Sequence, residues 1–173
     1  MTKLVITLND FEVDMAKELA RVRSAKDRTV GANATAYNGR DQQEIDEDGF
    51  GAELAFCKAF NYYPDFSTDP RVGGCDCVSR NGQTIDVKQT PTIINPKTLE
   101  EYPGLLVKAV KSTDERYKVD YYVFLHGKLP TFTMEGYASY DEAIKSETIE
   151  PHGEGSKAFR IPLSVIRREN EKN

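Results

Sequence analysis

The chain has 173 residues, of which 39% are hydrophobic and 29% charged, with no Trp. Such a length fits one domain with a real core, so a single domain over residues 1–173 is expected, and repeat arrays, collagen and coiled coils are excluded. The net charge of −5, from 28 acidic and 23 basic residues, argues against unspecific adhesion to phosphates; residues 70–130, with 7 acidic and 9 basic side chains, are the one net basic third and can present a local patch.

No apolar window is long enough to span a bilayer, and MTKLVITLND lacks the apolar stretch and cleavage site of a secretory signal. A soluble cytoplasmic protein with no membrane partner is expected, with Cys57, Cys75 and Cys77 as reduced thiols.

Residues 3–8 alternate as a short strand does, and Asn9 followed by Glu12 predicts an N-cap with its capping-box partner. Phe11, Met15, Leu19 and Val22 then recur at helical spacing through about Ala25 and predict a core-facing helix. Residues 26–40 have no period and predict a loop. A second helix is expected from about Asp41 or Asp48 to Phe60, burying Phe50, Leu54 and Cys57; Gly49 and Gly51 leave its start open. The acids Asp41, Glu44, Asp46, Glu47 and Asp48 suit a helix N-terminus, where the macrodipole favours negative charge.

Residues 61–73 have a loop composition, and Gly74–Gln89 predicts a β-hairpin with Asn81-Gly82 at its turn. Downstream, strands are expected at Leu105–Val107, Val119–Leu125 and Phe132–Ala138, a short helix at Tyr140–Ser146, a loop at 150–157 and a last strand at Phe159–Val165. Helices and strands mix without a linker, which predicts an α/β fold.

The hairpin admits two registers. A two-residue turn pairs Asp76 with Val87 and mixes polar and apolar groups on both faces. A three-residue loop, Arg80-Asn81-Gly82 with Gly82 left-handed, pairs Ser79 with Gln83 and brings Asp76 opposite Asp86. The faces then separate: Cys75, Cys77, Ile85 and Val87 on one, Asp76, Val78, Thr84, Asp86 and Lys88 on the other. Period-two amphipathicity selects this second register.

Two carboxylates directly opposite across a sheet, with Cβ atoms roughly 4.5–5.5 Å apart, repel and destabilise it. A divalent cation offsets that repulsion, because Mg²⁺ favours one or two carboxylates with water and phosphate oxygens. Lys88 shares the face and can orient a water or stabilise charge developing on phosphate. An exposed Asp86–Lys88 ion pair is the commoner meaning of a bare Asp-x-Lys. Glu53 adds weight to the chemical reading: it lies at the edge of the second helix's apolar stripe, where an acid needs a partner.

With Glu53 in GFGAELAFCKAF, Asp76 in GGCDCV and Asp86-Val87-Lys88 in TIDVKQT, the chain resembles the PD-(D/E)XK nuclease superfamily over about residues 49–90. Gly-Cys stands in place of the motif's leading Pro. The resemblance implies a restriction-endonuclease-like core, a mixed central sheet flanked by helices. It further implies Mg²⁺ or Mn²⁺ held by Asp76 and Asp86, with the Val87 carbonyl completing the shell and Glu53 as a further metal ligand, direct or through water. Lys88 would orient or activate the attacking water. The catalytic set so implied is Glu53, Asp76, Asp86 and Lys88, and the activity a metal-dependent deoxyribonuclease (hydrolase) acting on DNA phosphodiesters. The alternative is a non-catalytic nucleic-acid-binding or structural subunit of the same fold. A homodimer stays open, since small nucleases of this fold often pair to cut two strands. The compact size suits a phage, mobile-element or repair component.

Other constellations are weaker. Cys57, Cys75 and Cys77 with His126 or His152 would suffice for zinc, but the thiols fall on the hairpin's apolar face and both histidines are remote in sequence. Tyr62-Tyr63 and Tyr121-Tyr122 offer rings on which bases stack, although packing is the commoner role. Arg40, Arg71, Arg80 and Arg116 are candidate phosphate contacts, and Arg167-Arg168 reads as a helix end or frayed tail.

Overall fold

The computed structural model describes residues 3–29, 41–68, 74–108, 118–149 and 157–167. Its elements are β1 (Val5–Thr7), α1 (Asp10–Thr29), α2 (Gln42–Phe60), β2 (Cys77–Val78), β3 (Thr84–Thr90), β4 (Gly104–Lys108), β5 (Tyr121–Lys128), β6 (Thr131–Ser139), α3 (Tyr140–Ile144), β7 (Glu147–Ile149), β8 (Ala158–Pro162) and α4 (Leu163–Ile166). The fold is mixed α/β. A five-stranded sheet has the order β1-β6-β5-β3-β2, and a three-stranded sheet the order β4-β8-β7. Within the larger sheet β3 and β5 run parallel and the other neighbours antiparallel, so the sheet is mixed.

Both faces of the larger sheet are covered, because its strands send apolar side chains alternately to either side. Ile85 and Val87 of β3 and Val123 and Leu125 of β5 pack with Ala16, Ala20, Phe50, Leu54 and Cys57 of the two long helices. Tyr122 and Phe124 of β5 instead join Leu105 and Val107 of β4, Ile161 of β8, and Ala143 and Ile166 of α3 and α4.

The Asn9–Glu12 capping box forms as the sequence predicts, with the Glu12 N–H donating to Asn9 Oδ1 (3.0 Å) and the Asn9 N–H donating to Glu12 Oε2 (2.7 Å). The helix runs on to Thr29, beyond the expected end near Ala25; residues 30–40 of the predicted loop lie outside the described residues. Phe11 is 75% exposed, contrary to the predicted stripe. Ala16 and Ala20 are the buried positions instead, flanked by Val13, Met15 and Leu19. Small residues let the backbones of α1 and α2 approach, and α2 answers with Ala52 and Ala55.

The second helix takes the earlier of its two possible starts: Asp41 is the N-cap, accepting from the Gln43 N–H. Both its glycines sit inside the helix, for different reasons. A Cβ at Gly51 would press on Leu129 and Phe132, whereas nothing lies within 4 Å of one at Gly49. The helix ends at Asn61, left-handed at φ 54°, whose N–H and that of Tyr62 satisfy the last carbonyls. Asp48 is buried and accepts the Leu129 N–H at 2.9 Å, so that member of the acidic cluster ties α2 to the β5–β6 turn.

At the C-terminal end the predicted strand 159–165 stops at Pro162, and the chain continues as the short helix α4, burying Leu163 and Ile166. Strand β7 was not expected. Arg167 is a helix end, the C-cap of α4, but not a frayed one: its guanidinium bonds Glu135 and Glu101. Glu135 is fully buried (0% exposed) at the point where the β5–β6 register slips. It also takes both hydrogen bonds from Lys3 Nζ (2.7 and 2.9 Å), and His126 Nδ1 lies 2.8 Å away. Burial pushes the Glu135 carboxyl up, but the Lys3 and Arg167 hydrogen bonds and charges outweigh it and hold it below the ordinary carboxylate range.

Gly136, at φ 144°, is where α4 meets the sheet, and a Cβ there would run into the Ile166 carbonyl. Gly136→Ala should therefore cost about 3 kcal/mol, from backbone strain and overpacking together. Gly49→Ala should add about 0.5–1 kcal/mol, since helix interiors favour Ala where space allows. Urea denaturation of both variants beside the parent checks the opposite signs.

Candidate functional site

The hairpin folds in the second register. Cys77 pairs with Ile85 and Val78 with Thr84, which sets Asp76 opposite Asp86. The loop closes as the three-residue turn requires: the Ser79 N–H donates to the Gln83 carbonyl (2.8 Å), the Gly82 N–H to the Ser79 carbonyl (3.0 Å), and Gly82 is left-handed at φ 81°. Cys77, Ile85 and Val87 enter the core under the helices as predicted. Cys75 does not; it packs with the other core. The chain bends at Asp76, whose own N–H donates to the Ile85 carbonyl, and the bend breaks the alternation before it.

Strand β3 is aligned at its start by a clamp to β5. The Thr84 N–H and hydroxyl both donate to Asp120 Oδ2, at 2.7 and 2.9 Å, while the Asp120 N–H donates back to the Thr84 carbonyl. Parallel pairing then sets Asp86 beside Tyr122 and Lys88 beside Phe124. Asp86 is 3% exposed, so the bland reading of a solvated surface pair does not describe it. Lys88 Nζ bonds Asp86 Oδ1, with the Lys88 side chain 26% exposed. Asp76 accepts the Val87 N–H through Oδ2 at 2.7 Å.

Charge crowding shifts the proton affinity of this group. Burial first, and then the charge of Asp86, push the Asp76 carboxyl up to about 6, against the pull of Lys88 and the Val87 N–H. Below that value Asp76 holds a proton beside Asp86, which relieves the repulsion between the two. The buried Tyr122 phenol is pushed up by burial and by the same Asp86 charge.

Glu53 comes from α2, on the sheet face opposite to that of Asp86 and Lys88. Its Oε2 lies 3.4 Å from Arg23 Nη1, with both side chains mostly buried. The same guanidinium donates to the carbonyls of Asp65 (2.5 Å) and Ser67 (2.9 Å) and lies 4.4 Å over the Phe50 ring. The Cys57 thiol, which donates to Cys77, is pushed up by that bond first, then by burial and by the charges of Glu53 and Asp76. Helix acid and strand acid thus act on one thiol. Asp76, Asp86 and Lys88 meet directly; among the described residues no three His, Cys, Asp or Glu side chains form a group that could hold a metal ion. The hard-oxygen pair Asp76–Asp86, set opposite each other by the hairpin register, fits a divalent cation in chemistry and charge.

Arg23 is the residue that helix periodicity missed. It sits three residues past Ala20, on the buried stripe of α1, and a cation at such a position signals a buried partner. Gln89, next to the motif, uses its amide on the Gly127 carbonyl (2.7 Å). Cys57 and Cys77 are buried together while His126 belongs to the Glu135 cluster, so the zinc set is not assembled; His152 lies outside the described residues. Arg80 is exposed at the hairpin turn, and Arg40, Arg71, Arg116 and Arg168 lie outside the described residues. No described helix is long and apolar enough to cross a membrane. Comparison of the chain with protein-family models and with curated proteins gives no match.

The raised Asp76 carboxyl has a signed consequence. A group held protonated by the fold contributes stability that is present below its ordinary value of 3.8 and is lost as pH rises through about 6. Without metal, the chain should lose of order 3 kcal/mol from this group between pH 4 and 7. Asp76→Asn keeps an oxygen for the Val87 N–H and supplies a permanent donor to Asp86. Its stability, followed by urea denaturation in EDTA across that range, should lack this decline; a parallel decline in parent and variant would refute the proton retained on Asp76.

Proposed function

We propose that the protein is a metal-dependent nuclease that hydrolyses DNA phosphodiester bonds, built on a restriction-endonuclease-like core. The observation that carries the reading is the cross-strand pair of a half-buried Asp76 and a buried Asp86, with Lys88 bonded to Asp86. The order of a helix carrying Glu53, an antiparallel hairpin, and then a strand parallel to β3 supports the core assignment.

In this reading Asp76 and Asp86 would hold Mg²⁺ or Mn²⁺, and Glu53, oriented by Arg23, would be a further ligand through water. The ion's contribution when bound is Lewis-acid polarisation of the phosphate and a lowered pKa of water. Asp76 gives up its proton when the site loads, which a value of about 6 allows near neutral pH. Lys88, anchored by Asp86 and partly open to solvent, would orient the attacking water and stabilise the charge that develops on phosphate. Val87 turns the other way into the core and fixes the register of its two neighbours.

Labelled duplex and single-stranded DNA, incubated with Mg²⁺, Mn²⁺ or EDTA, test this directly. Cleavage is expected only with metal, and Asp86→Asn and Lys88→Ala should each lower it by about a hundredfold or more. Calorimetry should show Mn²⁺ binding to the parent and not to Asp86→Ala. Absence of metal-dependent cleavage with DNA binding intact would favour the non-catalytic subunit, which the Arg23 hold on Glu53 also suits.

A further inference from the structure

Residues 62–68 do not wander away from the site. Pro64 forms an antiparallel bridge with Cys77, and the Asp65 N–H donates to the Asp76 carbonyl at 3.1 Å, so the segment extends the sheet beyond its edge strand β2. That register continues Tyr63 opposite Val78 and Asp65 opposite Asp76. Partners across a ladder share a face, which sets Tyr63 and Val78 on the side of the sheet that carries Asp76, Asp86 and Lys88. The offset between the two rows is two residues, about 7 Å along the strand, a step that one extended nucleotide spans.

Tyr63 is 79% exposed and Val78 is exposed beside it, next to a pair of acids of which Asp86 is buried. Nothing about Tyr63 is loose. Asn61 turns the chain out of α2, Pro64 fixes the next residue, Arg23 grips the carbonyls of Asp65 and Ser67, and the ring meets Phe66 in a T-shaped contact at 5.5 Å. Its neighbour Tyr62 packs between Phe56 and Phe60, so the chain spends one tyrosine on the core and holds the other out in water.

We infer that Tyr63 is a stacking platform for an unpaired nucleobase, so that the strand entering the Asp76–Asp86–Lys88 site is single-stranded or locally unpaired. A base inside a duplex is stacked on both sides and cannot lie on a protruding ring, whereas an unpaired base gains from an aromatic face whatever its sequence. The rigid mounting adds to this, because little ordering remains to be done when a base arrives. The cleavage part of this inference rests on the nuclease reading; the stacking part does not.

The test uses the full chain with Ca²⁺ in place of Mg²⁺, a short mixed-sequence single strand carrying a fluorescent aminopurine, and its blunt duplex. The single strand should bind at least about tenfold more tightly than the duplex, with aminopurine quenching on binding. Tyr63→Ala should weaken single-strand binding by roughly tenfold and abolish the quenching, Tyr63→Phe should retain both, and duplex binding should not change. Because Tyr63 is exposed, circular dichroism of the variants should match the parent. Equal single-strand binding by parent and Tyr63→Ala, or preference for blunt duplex, overturns the inference. Tyr63-dependent binding and quenching with no cutting in Mg²⁺ would leave it standing and remove the nuclease reading. Metal-dependent cutting of single strands that Tyr63→Ala leaves unchanged would do the reverse.

Discussion

The arrangement depends on one enforced approach, that of the Asp76 and Asp86 carboxyls across the hairpin. A turn one residue shorter would have set Asp76 against Val87 and dissolved the pair. The left-handed Gly82 and the Ser79–Gln83 closure make the longer loop, and the loop makes the register. Like charges so placed oppose the sheet. They are tolerated here because Lys88 and the Val87 N–H draw on them and because Asp76 keeps its proton up to about 6. The repulsion is offset by groups of the hairpin itself, which keeps the pair intact without help from a distant element.

Burial of Asp86 follows from the two-sided sheet. Val87 and Ile85 must enter the core beneath the long helices, and the pleat then commits Asp86 and Lys88 to the opposite face, next to Tyr122 and Phe124. Glu53 comes from the helix side, beside the edge where β2 is two residues long and residues 64 and 65 pair with it. Arg23 organises that edge: one guanidinium binds the helix acid and two carbonyls of the segment that extends the sheet. A long helix expected to serve the core thus also sets the geometry beside the acids.

Much of this was legible from residue order because it is local. Period-two alternation chose the hairpin register, the Asn9–Glu12 spacing announced a capping box, and apolar spacing found Phe50, Leu54 and Cys57. What was not legible depends on partners far away in sequence. Phe11 fits the helical period yet faces water, because α1 approaches α2 through alanines, and periodicity cannot tell a small contact from a large one. Cys75 obeys the alternation on paper, but the bend at Asp76 turns it to the other core. The turn into α4 hangs on Pro162 and on the buried Leu163 and Ile166, and an apolar run of that length looks the same in a strand or a helix. Arg23 and Glu135 carried a subtler sign, a charge where the pattern asks for an apolar residue, which says that a partner exists but not which one.

Two acidic centres of the larger sheet, one at Glu135 and one at Asp76 and Asp86, make the difference between holding a fold and being available for chemistry a matter of sign. Around Glu135, Lys3 and Arg167 supply hydrogen bonds and positive charge beyond what burial takes away, and the carboxyl titrates below its ordinary range. Such a centre holds β1, β6 and the C-terminal turn together, and a further cation would meet repulsion there. At Asp76 the balance runs the other way: burial and a second carboxylate outweigh one lysine, and the group is pushed up to about 6. A centre that retains a proton near neutrality stabilises whatever positive species can replace that proton, and perturbed acids of this kind gather where chemistry is done. The same sheet therefore contains an acid saturated for structure and a pair left poised, and the exposed Tyr63 stands beside the second and not the first.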